Sequence, residues 1–244
     1  MNGKPVYDDE IFFSKYAQMY RSLLGLSGAG EWNTLEKILP DFKGKRVLDL
    51  GCGYGWHAAW MAEKGAAGIT AVDVSVKMLE KAKSMHTDSR IEYILEDIES
   101  FDAAPSSYDI VFSSLVFHYV SDYSSLVRKI SRWLSEKGML IFTVEHPVFT
   151  SRGDQDWIYN SDGSISHFPV DNYYYEGERT AVFLGEKVRK YHRSLTTYIE
   201  TLLEEGFSIQ HVIEPQPPEN MMDRPGYKDE MRRPMMLIIS TQKN

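Results

Sequence analysis

The sequence predicts an α/β fold, a largely parallel sheet covered by helices on both faces. Three observations carry this. Short apolar runs alternate with helix-like stretches between residues 46 and 144. Those runs are almost continuously apolar, as strands buried on both faces are, rather than alternating with polar residues. A glycine-rich turn follows the first run and leads straight into a helix.

The elements follow in order. Ile11, Phe12, Tyr16, Met19, Tyr20 and Leu23 recur at spacings of three and four and predict an apolar helical stripe, broken by Gly25, Gly28 and Gly30. A second short helix spans 31–39 and stops at Pro40. Residues 46–50, 68–73, 91–95, 108–113 and 139–144 read as strands, and 57–64, 76–85 and 125–134 as helices, the last closed by Lys137-Gly138. After Glu145 the pattern stops, and 146–190 is rich in Asp, Gly, Ser and Tyr with little period. A stretch this long between elements predicts a functional lid or insertion. A helix over 194–205, a strand over 207–214, a Pro-rich loop over 215–233 and a strand over 235–241 predict an antiparallel hairpin at one sheet edge. The expected division is an N-terminal helical cap (1–40), a core (41–146), a substrate lid (147–192), and a C-terminal helix and hairpin (193–244) that completes the same domain.

Composition narrows the function. The 244 residues carry 27 Lys plus Arg against 35 Asp plus Glu, a net charge of −8, so there is no global field that attracts nucleic-acid phosphates. One cysteine, Cys52, excludes an internal disulfide and a multi-cysteine zinc site. No apolar run approaches the roughly 20 residues of a spanning helix, and the first ten residues hold no signal-peptide core. The expectation is a cytoplasmic protein, with no membrane or nucleic-acid partner and no metal; oligomeric state is open.

Chemistry concentrates in Val47-Leu-Asp-Leu-Gly-Cys-Gly-Tyr-Gly55. Glycines at 51, 53 and 55 let a ligand approach the backbone, and the following helix points free N–H groups at it. A dinucleotide fingerprint would place a small residue where Trp56 stands. Asp49, inside the motif, repels a diphosphate and attracts an ammonium, so the turn suits a zwitterionic amino-acid group. Asp73, twenty residues past Gly53, ends the second strand, where a carboxylate accepts hydrogen bonds from a ribose diol. At the third strand's end, Asp97 can accept from an adenine amine, beside Glu96 and Glu99 as competitors. The Ile98 N–H can donate to a ring nitrogen, and Val74 and Met78 can sandwich the ring.

In VLDLGCGYG, AVDVS, LEDI and YDIVFSSLVFHYV, in that order, residues 45–144 resemble the class I S-adenosylmethionine-dependent methyltransferases of small-molecule type. The resemblance implies a doubly wound, Rossmann-like sheet of seven strands with the last antiparallel and a lid insertion after strand 5. It implies S-adenosylmethionine as cofactor, released as S-adenosylhomocysteine, and a small-molecule methyl acceptor. It places cofactor contacts at Asp49, Gly51, Cys52, Gly53, Asp73, Val74, Met78, Asp97, Ile98 and Ser113, and candidate catalytic groups at His118 and His146. Cys52 reads as a small packing residue of the turn rather than a nucleophile. Lys187, Arg189, Lys190, His192 and Arg193 form a basic cluster, either a solvated helix start or a contact for a carboxylate or phosphate. Trp157 and Tyr173–Tyr175 read as a satellite core or an aromatic lid. Two alternatives share the glycine turn: a nicotinamide-dependent oxidoreductase and a non-catalytic nucleoside-binding module.

Overall fold

The structure, a computed structural model, describes residues 5–244. The first four residues of the expected N-terminal cap lie outside the described residues. A 3-10 turn at Val6–Asp8 precedes three short helices, α1 (Glu10–Tyr16), α2 (Tyr20–Leu23) and α3 (Trp32–Leu35). The alternation follows: β1 (Arg46–Leu50), α4 (Trp56–Glu63), β2 (Gly68–Asp73), α5 (Val76–Met85), β3 (Ile91–Leu95), β4 (Tyr108–Ser114), α6 (Tyr123–Trp133) and β5 (Leu134–Glu145). Next come α7 (Pro147–Thr150) and two hairpins, β6 (Ile158–Tyr159) with β7 (Ile165–His167) and β8 (Gly177–Phe183) with β9 (Glu186–His192). The chain closes with α8 (Leu195–Glu204), β10 (Phe207–Ile213), α9 (Tyr227–Glu230) and β11 (Met236–Lys243).

Seven strands form one sheet in the order β10-β11-β5-β4-β1-β2-β3. β1 to β5 run parallel, and β11 runs antiparallel to both its neighbours, as expected. Apolar side chains fill both faces. One face packs Leu126, Ile130 and Trp133 of α6 and Tyr198 and Leu202 of α8 against the strands. The other packs Trp32, Leu35, Ala58, Met61 and Leu79 of α3 to α5. Burial on both faces is why these strands read as apolar runs. Sheet order reverses between β1 and β4, which places the ends of those strands at a topological switch point, where open α/β sheets hold ligands.

Three local expectations give way. The N-terminal stripe is not one helix: the chain breaks between α1 and α2, so Phe12 is fully buried while Ile11 and Leu23 lie exposed. Lys137-Gly138 does not stop a helix. α6, N-capped by Asp122 through the Ser125 N–H (2.9 Å), ends at Trp133, and Lys137-Gly138 forms a bulge where β5 runs ahead of β4. The basic cluster is not a solvated helix start. It lies on β9 and just beyond, where strand parity turns Lys190 and His192 inward and Arg189 outward. The helix begins later, at Leu195, capped by Ser194 through the Thr197 N–H (3.2 Å).

Among the described residues, no helix is long and apolar enough to cross a membrane, and no group of three or more His, Cys, Asp or Glu could hold a metal.

Candidate active site

β1 delivers Asp49 to the edge of the sheet, and the chain then turns sharply through Gly51, Cys52 and Gly53 into α4. The turn is anchored by the Gly51 and Cys52 N–H groups, which both donate to Val72 O on β2 (2.8 and 3.0 Å). Gly51 has φ +77°, and a Cβ there would lie 2.2 Å from Val116 Cγ2, so no side chain fits. Gly53 has φ +53°, and a Cβ there would meet nothing within 4 Å, which leaves open space over its backbone. Asp49 is buried beneath this turn, and its Oδ2 finds no hydrogen-bond partner among the described residues. Burial first, and the Asp73 carboxylate second, push Asp49 up to about 8. A carboxyl group so placed gains most by meeting a cation.

Asp73, at the end of β2, accepts from the Gly53 N–H at Oδ2 (2.8 Å) and from the Ser75 N–H at Oδ1 (2.9 Å). Both oxygens are thus oriented by backbone, and each keeps acceptor capacity. Burial raises this carboxyl above its ordinary value despite those bonds. Val74 is partly exposed beside it, whereas Met78 on α5 is buried. After β3, Asp97 folds its Oδ1 onto the Glu99 N–H (2.9 Å), and Ile98 is buried with its N–H unbonded among the described residues.

Sequence reading missed how the N-terminal segment covers this edge. Tyr16, Arg21, Ser22 and Gly25 line a narrow cleft opposite Gly51, Cys52 and Gly53. Arg21 bonds Glu31 through one guanidinium nitrogen (3.1 Å to each oxygen), holding its charge over the turn. The Trp56 ring fills the space beside Gly25, where a Cβ would sit 2.9 Å away. Asp8 ties the segment to the start of α5. Its Oδ1 accepts from Ser75 Oγ (2.5 Å) and the Lys77 N–H (3.1 Å).

A second polar group adjoins the cleft through a chain of rings. Tyr16 packs on Tyr54 and Tyr7, and Tyr7 shares a hydroxyl–hydroxyl bond with Tyr119 (3.3 Å). Tyr119 lies on the 3-10 turn Phe117–Tyr119 with His118. His118 Nδ1 accepts from the Glu145 N–H (3.3 Å), and burial lowers its pKa to about 4. Lys190, with 3% of its surface exposed, reaches Glu145 Oε1 (2.6 Å) and Gln155 Oε1 (2.9 Å), while Gln155 Nε2 donates to Glu145 Oε2 (2.7 Å). Gln155 holds φ +54°, a conformation that costs roughly 1–3 kcal/mol and persists where such bonds fix it. Buried Arg193 caps the His118 turn, donating to Phe117 O (3.3 Å), Val120 O and Ser121 O (3.1 Å).

Two candidates sit elsewhere than expected. Ser113 is fully buried, and its Oγ donates to Leu50 O (2.8 Å), tying β4 to β1. The next residue, Ser114, lines the cleft instead, because side chains alternate faces along a strand. His146 caps α7, its Nδ1 accepting from the Val148 N–H (3.0 Å), and its Nε2 lies 2.9 Å from Glu214. Both nitrogens face local partners. Cys52 is buried at the turn, and burial, then the Asp73 and Asp49 charges, raise its thiol well above the ordinary value, so it is no ready nucleophile.

The strand order, the reversed last strand and the acid-flanked glycine turn at the switch point define a class I S-adenosylmethionine-dependent methyltransferase. Comparison with known proteins agrees. A family profile described as a methyltransferase domain matches residues 48–142. The crystal structure of an S-adenosylmethionine-dependent methyltransferase from Mesorhizobium loti is 36% identical, with 90% of this chain and 100% of that one covered and a TM-score of 0.83. A candidate methyltransferase of the same kind from Listeria monocytogenes is 49% identical, with 90% and 99% covered and a TM-score of 0.86. A ubiquinone biosynthesis O-methyltransferase from Neisseria meningitidis is 33% identical over 157 residues, 59% of this chain and 65% of that enzyme. The chain belongs to the S-adenosylmethionine-dependent methyltransferases, and S-adenosylmethionine is its cofactor.

Proposed function

We propose that this enzyme methylates a small molecule, with the cofactor held across the β1, β2 and β3 ends and the acceptor held between the cleft and the 147–192 segment. The observation that carries the reading is the unpartnered Asp49 Oδ2 beneath a glycine turn with open space over Gly53. These residues fit a cationic amino-acid group joined to a nucleoside. Asp49 meets the cationic end, Gly51, Cys52 and Gly53 offer backbone, and Asp73 uses its spare lone pairs on a ribose diol. Val74 and Met78 flank the base, and Asp97 with the Ile98 N–H binds its polar edge. The Arg21 guanidinium across the cleft is suited to a carboxylate.

When bound, S-adenosylmethionine supplies a methyl group on a sulfonium, already a good leaving group. The chain's own contribution is therefore alignment and exclusion of water. Tyr16 and Tyr54 wall the cleft, and Tyr7 packs on Tyr16 and links it to the fourth-strand turn that carries His118 and Tyr119. His118 acts as a donor: an imidazole accepting at Nδ1 and neutral near pH 7 carries its hydrogen on Nε2. Similarity to an O-methyltransferase supports an oxygen acceptor.

Calorimetric titration with S-adenosylhomocysteine tests the cofactor site. Binding is expected, weakened roughly 10- to 100-fold by Asp73→Ala, the range for losing hydrogen bonds to a charged group. Unchanged affinity in Asp73→Ala removes this assignment.

A further inference from the structure

Beneath the glycine turn, Asp49 Oδ2 and the Tyr93 hydroxyl are both buried, and neither has a hydrogen-bond partner among the described residues. An ionised carboxylate only accepts, and a phenol can donate to it. Sheet register sets the two in one row. Asp49 is level with Ala71 on β2, and Ala71 with Tyr93 on β3, so all three side chains rise from the same face, the one that packs against α3 to α5. Strands about 4.8 Å apart put the outer two Cα atoms about 9.6 Å from each other. Only the methyl group of Ala71 stands between, and a phenol and a carboxylate leaning together can close that span. The ring does enter the turn: a Cβ added to Gly55 would lie 2.7 Å from Tyr93 Oη. After burial, the charges of Cys52 and Asp49 are what hold the Tyr93 phenol above its ordinary value. His86 Nε2 is also buried without a partner among the described residues, but the charge acting on that ring is Glu63.

We infer that Tyr93 is a positioning residue: its hydroxyl donates to the Asp49 carboxylate once that group ionises, and so holds it ready for the cofactor's ammonium. The inference rests on the cofactor placement proposed above and names the residue that supports its acid. The Tyr93 hydroxyl is shut beneath the turn, so it acts through Asp49 and not on the ligand. The other groups facing Asp49 do not supply this bond. Asp73, at the end of β2, opposes its ionisation. Cys52 is held protonated by burial and nearby acids. His57 on α4 stacks on Phe112, which is level with Asp49 on β4, and burial keeps its ring neutral near pH 7. Arg21 lies across the cleft and is paired with Glu31.

Two measurements on the intact protein test this, both with Tyr93→Phe, which removes the hydroxyl and keeps the ring. The first follows the Asp49 carboxyl carbon by NMR against pH in the cofactor-free protein, its signal identified by its loss in Asp49→Asn. A hydrogen bond to a charged group predicts a midpoint about 1–2 units higher in Tyr93→Phe than in the wild type. An unchanged or lower midpoint overturns the inference. The second is calorimetric titration at pH 7 with S-adenosylhomocysteine and with 5′-methylthioadenosine, which lacks the amino-acid group. Tyr93→Phe should weaken the first by about 10-fold, the cost of ionising a carboxyl whose midpoint has risen by about one unit, and leave the second within about twofold. Equal losses for both ligands, or none for either, overturn the inference. Wild-type protein that fails to bind S-adenosylhomocysteine removes the cofactor placement instead, and the NMR titration still decides whether Tyr93 and Asp49 are paired.

Discussion

Arg193→Met tests whether the residue just past β9 holds the His118 turn in place. Methionine keeps most of the stem's volume and removes the guanidinium. Three carbonyl contacts disappear, of which Phe117 O and Val120 O are buried and Ser121 O is near solvent. Leaving a buried acceptor unsatisfied costs about 1–3 kcal/mol. Phe117 O keeps its bond from the Val120 N–H (3.3 Å), so Val120 O is the one buried acceptor left unsatisfied, which gives about 1–3 kcal/mol. At this chain length each kcal/mol moves Tm by roughly 2–4 °C, so the midpoint should fall by roughly 2–12 °C. Arg193→Lys keeps the charge but not the fork, reaches fewer carbonyls, and should fall in between. Thermal unfolding by circular dichroism measures both. S-adenosylhomocysteine affinity should stay within roughly threefold, since the glycine turn makes no contact with Arg193. A midpoint shift below about 2 °C in Arg193→Met would show that those carbonyls do not depend on it, and the positioning argument would fail.

Other outcomes follow from single contacts. Asp49, raised to about 8 when folded, holds a proton that the unfolded chain releases above its ordinary value, so its contribution to stability declines as pH rises through 8. His57 and His118, lowered to about 3 and about 4, work oppositely and only below their ordinary value of 6.5. Between pH 6.5 and 8 the cofactor-free wild type should therefore lose stability while Asp49→Asn stays flatter, measured by urea unfolding across pH. Engaging a cation at Asp49 should release up to about one proton at pH 7, read by calorimetry in buffers of different ionisation enthalpy; equal observed heats in every buffer would contradict it. Gly51→Ala should abolish S-adenosylhomocysteine binding or folding, because its Cβ meets Val116 at 2.2 Å, whereas Gly53→Ala, with free space but φ +53°, should fold at a cost of about 1–2 kcal/mol and lose affinity. Ser113→Ala should cost about 1 kcal/mol of stability through the lost bond to Leu50 O and leave cofactor affinity unchanged.

Much of the sheet was legible because strands buried on both faces leave an unmistakable apolar signature. Residues 68–73, 76–85 and 91–95 were bounded correctly to the residue. The acids at 49 and 73 were legible because a carboxylate at a strand end beside glycines has few structural uses. Legibility failed where meaning depends on parity or on distant partners. Ser113 and Ser114 are identical in chemistry, and a one-residue phase decides which meets the cleft. Lys190 reads as a surface charge until β8 pairs with β9 and turns it inward toward Glu145. The N-terminal cover was obscured because its helices are four to seven residues long, too short for periodicity to fix which side faces in.

One contact has a practical reach. Arg233, from the loop before β11, is enclosed by the rings of Phe149, Trp157 and Phe168, with its guanidinium carbon 4.4, 5.0 and 4.7 Å from their centroids. That cage ties the segment after β5 to a loop some 65–85 residues later in the chain. Anyone transplanting the segment after β5 onto another scaffold must therefore move both stretches as one cassette. Grafting the first without the second would strand three aromatic faces in water and leave the recipient prone to clumping.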